Sequence, residues 1–237
     1  MKSSSLNISI KDITKTYGDF YALRDINLEV TSGEFLTLLG PSGSGKTTLL
    51  MALAGFTSPD YGSVKFGEEE VVLKPPHLRD IGMVFQNYAL FPHMNVEQNV
   101  GYPQKLRGVS KKLMKETVDE ALSTVKLDGL GHRGVSELSG GQRQRVALAR
   151  AIVFKPKILL MDEPSAGLAP VVVQQVFGLV KRIREEGYTV LIVEQNVQQV
   201  LKVADRAYLL EAGQLIESGN SADLLASETV RKAYMGL

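Results

Sequence analysis

Residues Gly40 to Thr48 read GPSGSGKTT, and this stretch decides the fold of the chain. It follows the apolar run EFLTLLG and precedes KTTLLMALAG, so a glycine-rich loop joins a predicted buried strand to a helix that ends at Gly55. The glycines allow the backbone N–H groups to point inward at phosphate oxygens, and the helix N-terminus adds a positive dipole end. The pattern G-x-x-x-x-G-K-[ST] in this context predicts a phosphate-binding loop rather than an incidental glycine turn.

The loop supplies most of the predicted nucleotide-binding residues. They are Gly40, Pro41, Ser42, Gly43, Ser44, Gly45, Lys46, Thr47 and Thr48. Lys46 is expected to reach the β- and γ-phosphates, and the hydroxyl of Thr47 is expected to ligate Mg²⁺. Ser42 and Ser44 are expected only to shape the loop.

A later apolar run, ILLMDEP from Ile158 to Pro164, predicts a second half of the same site. Two carboxylates at the carboxyl end of a parallel strand lie at the sheet edge where ligands bind. Asp162 is expected to hold Mg²⁺ through water, and Glu163 to orient and deprotonate the attacking water. An apolar run followed by two acids is common, so this interpretation depends on the phosphate loop.

Strand patterns alternate with helical patterns along the chain, which predicts an α/β fold with a mainly parallel sheet around a P-loop NTPase core. The opening runs LNISIKDI and LRDINLEV predict an N-terminal antiparallel β subdomain. We expect one domain over residues 1–237. Residues 1–86 and 152–237 form its core in this prediction, residues 87–151 form an inserted α-helical subdomain, and a helix ends the chain.

Composition excludes several classes of protein. The 237 residues include 27 basic and 26 acidic side chains, a balance that argues against binding nucleic acid through a broad basic surface. The absence of cysteine excludes disulfides and thiolate metal sites, and His77, His93 and His132 lack metal-like spacing and are expected to be solvated. No segment reaches the roughly 18 to 20 apolar residues that a membrane span needs, and the N-terminus lacks a signal-peptide core. We therefore expect a cytoplasmic chain that meets a membrane only through a partner.

The stretch LSGGQRQRVALARA, from Leu138 to Ala151, resembles the signature motif of ABC-type ATPases. Ser139, Gly140 and Gly141 would open a helix and form a second anion-binding N-terminus, with Gln142 beside them. The resemblance implies an ATP-hydrolysing subunit that powers a membrane transporter. It also implies a head-to-tail dimer, in which each signature contacts the γ-phosphate bound to the other subunit.

Other positions match the family one at a time. Tyr17, in KTYGDFYAL, matches the aromatic residue that stacks on adenine, although a core or turn tyrosine is an alternative. Gln86, which ends IGMVFQ, matches the glutamine that reaches Mg²⁺ and the lytic water. Gln195, in LIVEQN, is with Glu163 and Gln86 a predicted catalytic residue, because it stands where most ABC ATPases have a histidine that bonds the γ-phosphate and braces the glutamate and the water. A glutamine can donate a hydrogen bond there but cannot become cationic.

A second departure is Ala169, where many family members have an aspartate. We expect modest ATP hydrolysis with Glu163 as the base. The alternative is an ATP-gated dimerisation switch with little turnover. A nucleic-acid or ribosome protein of this family usually has two nucleotide domains or a coiled coil, and a kinase would not explain LSGGQ.

The helical insertion is expected to present a groove to a membrane permease. Tyr88, Leu90, Phe91, Pro92 and Met94 lie close together in NYALFPHMNVEQNV and are expected to form an exposed apolar cluster, with a local satellite core as the alternative. The family implies a second copy of the chain or a paralogous ATPase subunit, a permease, and indirectly a periplasmic or surface binding protein. Nucleic acid is not an expected partner, and the chain is expected at the inner face of the cell membrane.

The two halves resemble different branches of the family. The first half is similar to the sugar, polyamine and metal-ion importer ATPases, and this favours such cargo. The second half, from DEPSAGLAP to VRKAYMGL, is similar to the branched-chain amino-acid importer ATPases. The first branch usually has an additional C-terminal β-rich regulatory domain, which is expected to be absent because the chain ends at Leu237.

Overall fold

The computed structural model describes residues 5–227 and 230, and its strands form two sheets. The strands of the first sheet are β1 (Ile8–Tyr17), β2 (Phe20–Val30), β4 (Tyr61–Phe66) and β5 (Glu69–Glu70). They are antiparallel in the order β2-β1-β4-β5, and Tyr17 pairs with Phe20 across a tight turn. This sheet is the predicted N-terminal antiparallel subdomain.

The second sheet has six strands. They are β3 (Phe35–Leu39), β6 (Ile81–Val84), β7 (Ile158–Asp162), β8 (Thr189–Glu194), β9 (Arg206–Glu211) and β10 (Gln214–Asn220). Their order is β10-β9-β3-β8-β7-β6, and every neighbouring pair is parallel except the edge strand β10 with β9. Every residue of β3, β7 and β8 is buried, because this sheet is covered on both faces.

The α-helices of the described residues include three that lie between β6 and β7. The helices are α1 (Lys46–Ala54), α2 (Val96–Leu106), α3 (Lys111–Thr124), α4 (Gly140–Ile152), α5 (Pro170–Glu185), α6 (Val197–Val200) and α7 (Ser221–Ala226). Asn95 and Gln98 form a capping box at the start of α2, and Ser110 caps α3. Since α4 extends to Ile152, it ends one residue beyond the predicted insertion 87–151, and that division of the chain stays a prediction.

Two hydrophobic cores lie on opposite faces of the parallel sheet. Phe35 and Leu39 of β3 pack into a core shared with α2, α3, α4 and α5, whereas Leu36 and Leu38 pack into a core shared with α1 and the antiparallel sheet. This alternation follows from the two-residue period of a strand. The predicted α/β fold, with a mainly parallel sheet, an antiparallel β subdomain and added helices, is confirmed.

Within residues 5–227 and 230, none of the helices combines the length and the apolar composition that crossing a bilayer requires. The short helix α7 lies where a tail helix was predicted. The resemblance drawn on VRKAYMGL falls, apart from Val230, outside the described residues.

Candidate functional site

The phosphate loop connects β3 to α1, and its shape requires glycine at two points. Gly40 and Gly45 have positive φ angles of 152° and 103°. A Cβ atom on Gly40 would lie 2.0 Å from the carbonyl oxygen of Leu210, and one on Gly45 would lie 2.3 Å from that of Ala22. The chain can therefore make this loop only without side chains at these positions.

Lys46 folds back into the loop. Its side chain is only 4% exposed, and its Nζ donates to the carbonyl oxygens of Gly40 and Pro41, each at 2.8 Å. Burial lowers the pKa of Lys46, and three nearby carboxylates act in the opposite direction. These are Glu163, Asp162 and Glu194. A buried cation inside a loop of inward-facing backbone is suited to an anionic ligand.

The serine and threonine side chains of the loop differ in burial. Ser44 is 3% exposed, with its Oγ 3.5 Å from Lys46 Nζ, whereas Ser42 is exposed. The side chain of Ser44 therefore belongs to the loop's own structure. Thr47 is exposed and Thr48 half-buried.

Thr47 and Asp162 form the predicted magnesium pair across two elements. The hydroxyl of Thr47 donates to Asp162 Oδ1 at 3.0 Å, and Asp162 is 4% exposed at the end of β7. Burial raises the pKa of Asp162, and the hydrogen bond from Thr47 opposes that shift. Among the described residues, no group of three or more His, Cys, Asp and Glu side chains could hold a metal ion. These two oxygen-bearing side chains fit Mg²⁺, which commonly binds one or two carboxylates together with water and substrate phosphates.

Glu163 lies next to this pair and is held by two glutamine side chains. Its backbone is in the left-handed region at φ 43°, and its N–H donates to Val193 O at 2.9 Å. Gln86 Nε2 donates to Glu163 Oε2 at 2.9 Å, and Gln195 Nε2 donates to Glu163 Oε1 at 2.5 Å. The structure therefore brings together all three residues predicted to be catalytic, although they lie far apart in the sequence.

The signature stretch lies at the N-terminus of α4. Ser139 accepts from the N–H of Gln142 at 3.3 Å, and the Gln142 side chain accepts from the N–H of Ser139 at 2.9 Å. A Cβ atom on Gly141 would lie 2.5 Å from Val172 of α5, and one on Gly140 would lie 3.4 Å from Leu168. Within the described part of the chain, no hydrogen bond joins this helix end to the phosphate loop. It is a separate helix N-terminus, and the binding of an anion there stays a prediction.

Comparison with known families decides what this arrangement is. Residues 23–166, more than half of the chain, match the family described as ABC transporter. The chain belongs to the ABC transporter family. A spermidine/putrescine import ATP-binding protein of Fusobacterium nucleatum is 41% identical over 92% of this chain and 58% of that protein. An Fe(3+) ions import ATP-binding protein of the same organism is 43% identical over 93% of this chain and 60% of that protein. The chain thus spans about three fifths of the length of these curated relatives.

Solved structures of ABC cassettes match almost the whole chain. An ATP-binding cassette of an ABC transporter in its ADP conformation has a TM-score of 0.88 at 30% identity, and the match covers 99% of this chain and 100% of that one. A dimeric bacterial ABC transporter cassette has a TM-score of 0.82 at 31% identity, covering 90% and 98%. The predicted resemblance to ABC ATPases is confirmed, whereas the resemblance of the second half to branched-chain amino-acid importers stays a prediction.

Tyr17 of this ABC protein is an exposed aromatic residue at the end of β1. It is 55% exposed, and Lys15 Nζ lies 5.4 Å from its ring centroid. This excludes the core alternative but not the turn alternative, since Tyr17 pairs with Phe20 across a tight turn. The stacking of Tyr17 on adenine stays a prediction. His77, His93 and His132 are all exposed, as predicted.

The apolar cluster after Gln86 is less exposed than predicted. Tyr88 and Leu90 are half-buried and pack against the hydrophobic core, so for them the prediction of exposure was wrong and the satellite-core alternative is the better description. Phe91 and Met94 are also half-buried, and only Pro92 is exposed. The reason is Arg150 of α4, which donates to the carbonyl oxygens of Ala89 and Tyr88 at 2.7 and 2.8 Å and draws the segment inward.

Two charged residues that hold backbone segments in place were missed by the sequence reasoning. Arg150 is one, and burial lowers its pKa. The other is Glu194, which is 2% exposed at the end of β8 and accepts hydrogen bonds from Ser165. Burial raises the pKa of Glu194, and hydrogen bonds from Ser165, Asn196 and Gln195 oppose the shift. An acidic residue at the end of the apolar run TVLIV was the available signal.

Proposed function

We propose that this chain is the ATP-binding and ATP-hydrolysing subunit of a membrane ABC importer. One observation carries the proposal: the Glu163 carboxylate, held by Gln86 and Gln195, lies beside the Thr47–Asp162 pair at the edge of the parallel sheet that carries the phosphate loop. Membership of the ABC transporter family supports ATP as the nucleotide. The relatives from Fusobacterium nucleatum, both named as import ATP-binding proteins, support import.

In the proposed reaction, the loop amides and Lys46 bind the β- and γ-phosphates, and Lys46 exchanges its carbonyl acceptors for phosphate oxygens. Thr47, Asp162 and Gln86 would hold a Mg²⁺ ion, which supplies positive charge against the phosphate oxygens. The Glu163 carboxylate accepts a proton from water as the water oxygen bonds to the γ-phosphorus. The bond from that phosphorus to the β–γ bridging oxygen breaks, which leaves ADP and inorganic phosphate.

The signature helix is assigned to the nucleotide of another subunit. Its terminus at Ser139 and Gly140 has no hydrogen bond to the chain's own phosphate loop within the described residues. A second copy, or a paralogous ATPase subunit, would place each signature over the other's γ-phosphate around two Mg-ATP. The dimeric cassette among the similar structures supports this arrangement.

The permease is assigned to the surface around Phe91 and Tyr102. The centroids of their rings lie 4.6 Å apart. Two concave, largely apolar cavities of about 710 and 380 Å³ adjoin them: Tyr102 lines both, and Phe91 lines the smaller. The larger has an apolar floor that includes Met94 and Met114 and also has charged lining residues, namely Glu97, Lys105, Lys111, Lys115 and Asp119. Apolar concavities of this kind suit an amphipathic partner segment. Through the permease the chain would lie at the inner face of the membrane and serve a periplasmic or surface binding protein indirectly, with a sugar, polyamine or ion as cargo.

A specific observation favours a second candidate, an ATP-gated dimerisation switch with little turnover. The group in the usual histidine position is the neutral amide of Gln195, and Ala169 provides no side-chain cap at the start of α5. Both positions lack the charged side chain that many family members have there. Slow hydrolysis would leave the closed dimer long-lived.

Steady-state phosphate release separates these functions. We expect hydrolysis by the wild-type chain that Glu163→Gln removes, with Glu185→Gln, an exposed carboxylate of α5, as the matched control. Sedimentation of Glu163→Gln with Mg-ATP should show dimers. If the wild-type chain forms dimers with Mg-ATP but does not hydrolyse it, even with a permease, the result supports the switch. If the chain neither hydrolyses ATP nor dimerises, both functions are refuted.

A further inference from the structure

Glu194 is a buried carboxylate outside the proposed reaction. It ends β8, and its Oε1 accepts from the N–H of Ser165 at 2.9 Å. Its Oε2 accepts from the Ser165 hydroxyl at 2.9 Å and from the N–H of Gln195 at 3.2 Å. One carboxylate therefore holds both backbone segments whose side chains, Glu163 and Gln195, meet in the site.

The surroundings of Glu194 require an acceptor on both oxygens. The Ser165 and Gln195 amides can only donate, and the N–H of Asn196 lies 3.5 Å from Oε2. An ionised carboxylate accepts at both oxygens, whereas an amide of the same shape would place its own N–H group against one of these donors. The Ser165 amide is buried, and a buried donor left without a partner is unfavourable, so we expect glutamine at position 194 to weaken the attachment of Ser165.

The loop that Glu194 holds, residues 163–169, leads from the site to the signature helix. Glu163 begins it with its left-handed backbone, and the N–H of Ala166 donates to Glu163 O at 3.0 Å. The N–H of Leu168 donates to Ser165 O at 3.2 Å, and Leu168 packs beside Gly140. The bonds to Ser165 lie at the middle of this path and join it to the neighbouring strand.

We infer that Glu194 is a positioning residue for hydrolysis: it anchors loop 163–169 at Ser165 and so sets Glu163 and Gln195 relative to the phosphate loop. The inference rests on the proposed ATPase function. Glu194 acts through other residues, because its carboxylate is buried and bonded to protein donors. It should therefore affect turnover more than nucleotide binding.

The test compares wild-type chain with Glu194→Gln. We expect kcat for Mg-ATP to fall at least tenfold while KM stays within threefold. Amide hydrogen exchange without nucleotide should become at least tenfold faster in 163–169, while β7 stays protected. Ser165→Ala loses the hydroxyl bond but keeps the backbone bond, so it should lower kcat by about threefold.

Glu34→Gln is the matched control. Glu34 is another buried carboxylate, 7% exposed, that accepts from the N–H of Thr31. It lies at the opposite end of β3 from the phosphate loop, so its variant should melt earlier with unchanged kcat. Equal effects of the two glutamine variants, unchanged loop exchange, or faster exchange with unchanged kcat would each overturn the inference.

The remaining outcomes are also decisive. If Glu194→Gln does not fold, Ser165→Ala provides the test. If its kcat and its loop exchange rate both equal those of the wild-type chain, the inference is overturned. An inactive wild-type chain refutes the proposed function. The exchange comparison then still decides whether Glu194 holds the loop.

Discussion

Replacing Gln195 with alanine should cost far less turnover than replacing Lys46 with alanine. Gln195 is exposed and donates one hydrogen bond, to the half-buried Glu163. The acceptor is a carboxylate, but water screens this exposed bond, so we take its net contribution as about 1 kcal/mol, which is roughly fivefold in rate. Lys46 is 4% exposed and makes two bonds of 2.8 Å that phosphate oxygens would replace. Two charge-assisted bonds at about 1.5 kcal/mol or more each give about 3 kcal/mol, or more than about a hundredfold.

The assay is steady-state phosphate release across a range of Mg-ATP concentrations, expressed as kcat/KM. Gln198→Ala is the matched control for Gln195→Ala, since Gln198 is an exposed glutamine of the neighbouring helix α6. It should leave kcat/KM unchanged. Equal losses of kcat/KM for the Gln195 and Lys46 variants would refute the reasoning, because a neutral, exposed amide would then contribute as much to catalysis as a buried cation.

Three further predictions concern protonation and packing. The ratio of kcat for Gln195→His to kcat for the wild-type chain should be higher at pH 6 than at pH 8, because imidazole becomes cationic below about pH 6.5. The same ratio at both pH values would contradict this prediction. Hydrogen bonds, first of all from Lys15, hold the pKa of Asp60 at about 2. The ionised Asp60 carboxylate therefore stabilises the folded chain fully above about pH 4, and this contribution is lost as pH falls toward 2. Asp60→Asn should therefore have a lower Tm than the wild-type chain at pH 7, and the two Tm values should converge below pH 4. Gly141→Ala places a Cβ 2.5 Å from Val172 and should lower the free energy of unfolding by about 1 to 3 kcal/mol, measured by denaturant titration.

The phosphate loop could be predicted from the sequence because its determinants are local. Gly40 and Gly45 need positive φ, and their spacing to Lys46 is readable along the chain. The position of Asp162 was also predictable, but only because the phosphate loop gave the run ILLMDEP a site to complete; the similar run TVLIVE, which ends at Glu194, has no such companion motif and was missed. For the loop, a short pattern indicates both the conformation and the chemistry.

The bonds from Ser165 to Glu194 could not be predicted, because they depend on β7 and β8 being neighbours in the sheet. The pattern shows where each strand ends but not which strand lies beside it. The burial of Tyr88 and Leu90 was missed for a similar reason. Their loop has no periodicity, and the Arg150 side chain that holds it comes from a distant helix.

The phosphate loop lies against backbone that is synthesised long after it. Gly40 faces the carbonyl oxygen of Leu210 in β9, a strand that also pairs with β3 directly before the loop. A nascent chain that ends before β9 lacks one wall of this loop. We therefore expect nucleotide capture only by polypeptides that extend at least through β9, so that prematurely terminated translation products would not compete for the cell's ATP.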